Sequence, residues 1–277
     1  MNKTLRKYCY QWASFCFGNK TYEPDTSTQI DVVIPVIEKD LDILPLCLEG
    51  VRNCVPHPIL NTYIVAPATP RILDFCSQNG LLFIDETKVL GYGPKDIDYC
   101  VNGTNRSGWI FQQLLKLSGN IGTASHFLVI DADHILIRPH TFLDTEGHTV
   151  FYQSKEFYPP YYRKLETLLG KEYHETLSYV DHKMLFSHEW LEKMQQHLEK
   201  RFGMAWDKVI LQHLDTDEIS CFSEYETYGT YFPKEKKHLL PWRNKNLTYD
   251  KRESFKQLQA KYGKHYRAIT FPEYLNR

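Results

Sequence analysis

His126-Phe127-Leu128-Val129-Ile130-Asp131-Ala132-Asp133-His134-Ile135-Leu136-Ile137-Arg138-Pro139 is the stretch from which the rest of this 277-residue chain can be read. Phe127 to Ile130 are four consecutive apolar residues with no polar alternation, the pattern of a strand covered on both faces. Two carboxylates stand at its end. Asp131 and Asp133 are one small residue apart, so in extended backbone they project to one side and can share a hard divalent cation through oxygen ligands. An Asx turn after a strand gives the same letters with no chemistry, and the surrounding sequence has to separate the two readings.

Upstream, Ile30-Asp31-Val32-Val33-Ile34-Pro35-Val36 reads as a buried strand closed by Pro35. Glu38 to Gly50 reads as a helix with its acids early, and Asn61 to Ala66 as a second strand. Residues 70–79 then form a short helix before a third strand at Leu81 to Ile84. Strand and helix alternate as in a parallel sheet with crossover helices. Residues 86–107 interrupt that rhythm with a glycine-bearing loop that matches no phosphate-binding fingerprint. Trp109 to Leu117 is a helix leading into the opening strand.

Downstream, Val150 to Gln153 and Tyr179 to Phe186 read as strands. Helices are expected around Lys164 to Leu177, over His188 to Phe202 and over Ala205 to Leu214. Ile219 to Tyr231 begins apolar and then sets Glu224 and Glu226 among aromatics; in extended backbone these two acids share a face.

The seven cysteines are odd in number and form no C-x-x-C, as expected of a reduced, cytoplasmic protein. No run reaches the roughly 18 apolar residues of a spanning helix. Residues 1–20 hold four basic side chains (Lys3, Arg6, Lys7, Lys20) and no acid, and residues 233–267 hold eleven Lys or Arg against three acids, so the body between them is acidic. That division suits a cation site in the body and an anionic partner at the ends. Leu5, Tyr8, Cys9, Trp12, Phe15 and Cys16 recur at helical spacing in a helix that either lies at a membrane interface or packs on the body. The 19 Tyr, 15 Phe and 5 Trp suit clefts that stack on sugar or nucleotide; no nucleic-acid partner is expected.

The order of Asp31-Val32-Val33-Ile34-Pro35-Val36 and, about a hundred residues later, Asp131-Ala132-Asp133 resembles the GT-A class of nucleotide-sugar glycosyltransferases. The likeness extends to bacterial members of that class with Gly-Trp-x-x-Gln-Gln-x-x-Lys-Leu before the Asp pair and Ser-Glu-Tyr-Glu-x-Tyr-Gly after it, here residues 108–117 and 223–229. The resemblance implies an α/β fold, a GT-A-like, Rossmann-related, mostly parallel sheet flanked by helices, with a C-terminal acceptor-side subregion. The expected division is an N-terminal helix and linker (1–29), a catalytic domain (30–250, with a nucleotide-sugar half at 30–140 and an acceptor half at 141–250) and a basic tail (251–277).

It further implies a transferase of polysaccharide biosynthesis that moves a sugar from a UDP- or GDP-sugar donor to a cell-surface polysaccharide or glycolipid acceptor, with Mn²⁺ or Mg²⁺ held by Asp131 and Asp133. Pro35, Val36 and Glu38 are then expected at the base and ribose, and Arg106, Trp109, Lys116 and Asp131 at the rest of the donor. His238, before Leu239-Leu240-Pro241-Trp242, is expected as a further metal ligand, with His182 and His213 as rivals. Glu224 and Glu226 are the candidate catalytic bases. Two alternatives stay open: a haloacid-dehalogenase-type Mg²⁺ phosphatase with Asp131 as nucleophile, and a non-catalytic sugar- or nucleotide-binding module. Peripheral contact with the inner face of the membrane is the expectation from the basic ends.

Overall fold

A computed structural model describes residues 3–170, 176–241 and 243–275. In chain order the elements are α1 (Lys3–Phe17), β1 (Ile30–Pro35), α2 (Leu44–Cys54), β2 (Ile59–Ala66), α3 (Pro70–Asn79), β3 (Leu82–Asp85), α4 (Glu86–Leu90), β4 (Cys100–Val101), β5 (Thr104–Asn105), α5 (Ser107–Leu117), β6 (His126–Ile130) and β7 (His134–Leu136). There follow β8 (Thr149–Gln153), α6 (Pro159–Leu169), β9 (Lys183–Ser187), α7 (His188–Phe202), α8 (Trp206–Gln212), α9 (Glu224–Tyr231), β10 (Lys237–Pro241), β11 (Asn244–Asn246), α10 (Phe255–Tyr262) and β12 (Ala268–Thr270).

The central sheet has the order β3-β2-β1-β6-β9. Its first four strands are parallel, and β9 runs antiparallel to β6. Every residue of β1 is buried, as its unbroken apolar run requires. The pleat sends Val32 and Ile34 toward α2, α3, β7 and β12, and Val33 toward α5, α7 and α9, so two cores sandwich the sheet. This is the mainly parallel, helix-flanked α/β sheet expected of the GT-A class.

Two small sheets finish the molecule. β8 and β10 pair in parallel, and β12 lies between β11 and β7, antiparallel to the latter. Residues 251–275, expected as a basic tail, instead supply α10 and β12, whose Phe255, Leu258, Ala268 and Ile269 are buried in the first core. The long interruption at 86–107 holds α4 and the β4–β5 hairpin.

Three local expectations change. The strand read from Tyr179 begins only at Lys183, because His182 adopts φ +56°, a left-handed conformation that ends an extended run. The segment after Ser223 is helical: the Ser223 hydroxyl accepts the Glu226 N–H as an N-cap, which overrides the strand preference of its tyrosines and threonines. Helix α6 ends at Leu169, and part of the expected Lys164–Leu177 helix lies outside the described residues.

Helix α1 is amphipathic, but inverted. Tyr10 and Ser14, with the half-buried Arg6, face inward, where Arg6 caps the Phe157 ring and donates to the Thr176 carbonyl. The apolar stripe faces outward: Leu5 is 51 % exposed, Tyr8 62 %, Trp12 65 % and Phe15 80 %. No helix among the described residues is long and apolar enough to cross a membrane.

Candidate active site

Ligands of open α/β sheets collect at the carboxyl ends of parallel strands, and β6 ends there in Asp131. The Asp131-Ala132-Asp133 link is a tight turn closed by the His134 N–H on the Asp131 carbonyl (3.0 Å). Past the turn, β7 pairs with β12, and Phe271 N–H donates to the Asp133 carbonyl (3.0 Å), so both sides of the turn are anchored.

Antiparallel pairing sets Ile130 opposite Lys183. The next residues out, Asp131 and His182, therefore meet. Asp131 N–H donates to the His182 carbonyl (2.9 Å), and His182 Nδ1 donates to Asp131 Oδ2 (3.1 Å). Asp131, Asp133 and His182 each offer one ligand atom, all within 4.8 Å of one another.

The opposite oxygen of Asp131 is held from below. Buried Lys116 on α5 donates to Asp131 Oδ1 (2.8 Å), to Glu224 Oε1 (2.8 Å) and to the Tyr225 hydroxyl (3.3 Å). Gln113, one turn earlier, accepts the Glu224 N–H (3.1 Å). The two segments that carried the resemblance thus touch each other directly beneath the Asp pair.

The charges follow from this packing. Burial favours the neutral form of Asp131, but Lys116 and His182 outweigh it and hold the carboxyl far below its usual range. Asp133 makes no ion pair, and burial and Asp131 push it up to about 7 against the pull of His182. For His182 burial opposes the charge, yet the bond to Asp131 and the nearby Asp133 raise it to about 9. Asp40, after β1, is raised by burial and also feels Asp131. Such concentrated negative charge, in oxygen ligands with one imidazole, fits a divalent cation of the Mn²⁺ or Mg²⁺ kind.

The remaining candidates are distributed around this centre. Pro35 and Val36 are buried at the end of β1, where Val36 N–H donates to Val65 (3.0 Å). Glu38 begins the turn after them and pairs with Arg71 (3.4 Å). Arg106 caps the Trp109 ring at 4.3 Å and donates to the Ile219 carbonyl (2.9 Å) and Ser220 hydroxyl (3.3 Å), tying the loop before α5 to the segment before α9. Lys116 is buried and pairs with the Asp131 and Glu224 carboxylates.

Glu224 and Glu226 do not share a face, since a helix turns residues two apart away from each other. Glu226 is fully buried behind the site, accepting from Ser178 Oγ, Tyr162 OH (3.2 Å) and Tyr179 N–H (3.2 Å), and burial raises it to about 8 despite these bonds. His238 is not at the Asp pair: β10 carries it to Asp144 (2.9 Å), because its strand pairs with β8 rather than with the central sheet. Its rival His213 bonds its own helix at Val209, and Trp242 lies outside the described residues. Glu156 escaped the sequence reading; it is exposed, yet crowded surroundings raise its carboxyl, and it feels His182.

A family model described as a family of unknown function, DUF6492, matches residues 28–259. No curated protein matches the chain. Among solved structures, the apo form of mouse xyloside xylosyltransferase 1 is similar over 88 % of this chain and 98 % of that one, with a TM-score of 0.50 and 13 % identity. The galactosyltransferase LgtC, in complex with donor and acceptor sugar analogues, is similar over 87 % of each chain, with a TM-score of 0.47 and 10 % identity. At these identities the first likeness is one of fold.

Proposed function

This chain belongs to the DUF6492 family, and we propose that it is a metal-dependent glycosyltransferase that moves a sugar from a nucleotide-diphosphate donor to a glycan or glycolipid acceptor. One observation carries the reading: Asp131, Asp133 and His182 converge at the carboxyl end of β6, within reach of a single cation. Those three residues would hold Mn²⁺ or Mg²⁺, and a cation there supplies neutralisation of the charge that develops on a leaving nucleoside diphosphate. Lys116 and Glu224 act through Asp131, keeping it ionised and aimed.

Pro35, Val36 and Glu38, with Asp40 beside them, form the wall on which the base and ribose would rest. Arg106 and Trp109 would border the donor by ordering the loop that precedes α5. On the acceptor side Glu156 joins Glu224 and Glu226 as a candidate base, since it alone of the three is exposed.

The outward stripe of α1 supports an acceptor presented at a lipid surface. Apolar and aromatic residues flanked by Lys7 and Lys20 are the composition of an interfacial helix. Release of UDP or GDP from a panel of nucleotide sugars, with Mn²⁺ and candidate acceptors, tests the transfer reaction. Asp133→Ala is expected to abolish turnover; equal turnover in that variant removes the metal role.

A further inference from the structure

His238 has left the Asp pair for a second cluster. The Asp144-Thr145-Glu146-Gly147-His148 loop before β8 folds around the Asp144 carboxylate: Oδ1 accepts the N–H groups of Glu146 (3.0 Å) and His148 (2.8 Å). Oδ2 points the other way, toward two imidazoles, His238 Nε2 at 2.9 Å and His148 Nδ1 at 3.5 Å. The three ligand atoms lie within 4.8 Å of one another. His148 Nδ1 is sequestered from solvent and makes no hydrogen bond.

We propose that Asp144, His148 and His238 form a second divalent-cation site, suited to the Zn²⁺ class, that staples the loop before β8 to β10 at the place where the N-terminal linker packs. Two neutral imidazoles and one carboxylate are a borderline-metal donor set. Ligands of a tetrahedral centre with bonds of about 2.0–2.2 Å stand about 3.3 Å apart, and the separations of 2.9 and 3.5 Å straddle that value. The two backbone N–H groups on Oδ1 fix the carboxylate as outer-shell partners do in metal centres. The N-terminal linker packs on the same cluster: Tyr22 stacks on the His238 ring at 4.1 Å, and the linker bonds the loop through Asp25 N–H to Leu143 O (2.9 Å) and Thr145 N–H to Glu23 O (3.2 Å). Its role is structural and independent of the transfer reaction.

The test is Zn²⁺ stoichiometry on full-length protein stripped with chelator, with Co²⁺ as a spectroscopic substitute. In Asp133→Ala/His182→Ala, which silences the first cluster, one Zn²⁺ per chain is expected, together with visible Co²⁺ bands and a rise in melting temperature on adding Zn²⁺. Adding His148→Ala/His238→Ala, or Asp144→Asn alone, removes all three signals; Asp144→Asn keeps an oxygen for the two N–H groups, so the loop stays folded. In the wild-type background the same changes lower the stoichiometry by one. Unchanged stoichiometry and Co²⁺ bands in these variants, or no binding in Asp133→Ala/His182→Ala, would mean an ordinary Asp–His hydrogen bond and overturn the proposal. Neither result bears on nucleotide release, which is measured separately.

Discussion

Asp131 and His182 grip each other twice, backbone to backbone at 2.9 Å and ring to carboxylate at 3.1 Å, and the second residue does so from a left-handed conformation at φ +56°. A non-glycine residue held there carries strain of about 1–3 kcal/mol, and the two hydrogen bonds with Asp131 oppose its relaxation.

His182→Ala and His182→Gly are therefore expected to part company on stability and agree on binding. Both lose the ring, and Mn²⁺ affinity should fall by at least the roughly 10–100-fold that loss of an outer-shell partner costs, read by Mn²⁺ titration. Glycine relieves the strained φ and alanine does not, so His182→Gly should be the more stable of the two in urea unfolding. Wild-type Mn²⁺ affinity in both variants would exclude His182 as a ligand.

Buried Lys116 bridges two acids, Asp131 and Glu224. Lys116→Met leaves Glu224 without a counter-charge and Asp131 with His182 alone, and removing one partner of a buried ion pair costs about 3–5 kcal/mol. Urea denaturation should show a loss of that size, and nucleotide binding should weaken with it because Asp131 is no longer aimed. A loss of less than about 1 kcal/mol, the size typical of exposed pairs, would show that the triad is not closed to water.

Glu226 reports on pH. Its folded carboxyl titrates at about 8 against an ordinary 4.5, so the folded state favours the protonated acid. The stability this group contributes is whole below about pH 4.5 and is lost as pH climbs through 8, at up to about 1.4 kcal/mol per unit between the two values. Glu226→Gln, neutral throughout, should thus gain on the wild type from pH 5 to pH 8. Chemical denaturation midpoints that stay parallel across that range would contradict the protonated buried acid.

The outward stripe of α1 predicts lipid binding. Flotation with vesicles containing anionic lipid should carry the protein at low salt and less of it at high salt. Trp12→Glu/Phe15→Glu, at exposed positions, should release it without changing the melting temperature. Absence of binding in the wild type at low salt would assign the stripe elsewhere.

The sheet was legible in the sequence because each central strand is a short run of branched apolar residues, and such runs are read locally. The Asp pair was legible for the same reason, as the punctuation after one of them. In the sequence His182 stands only as a rival, because its place depends on β9 pairing antiparallel with β6, a relation between residues 53 positions apart in the matched pair Ile130 and Lys183 that leaves no local signal. His238 drew attention through its Pro-Trp neighbours, yet strand pairing with β8 decided its company. The helix at Glu224 was hidden by its tyrosines and threonines and betrayed by one residue, the Ser223 cap.

The turn that bears Asp133 is clasped by Thr270 and Phe271, which lie more than 130 residues further along the chain. During synthesis the central strands and the Asp pair emerge from the ribosome well before that clasp exists. A nascent chain therefore carries its carboxylates on an unsecured loop, and the turn that would present them to a cation is clasped only once β12 has been made.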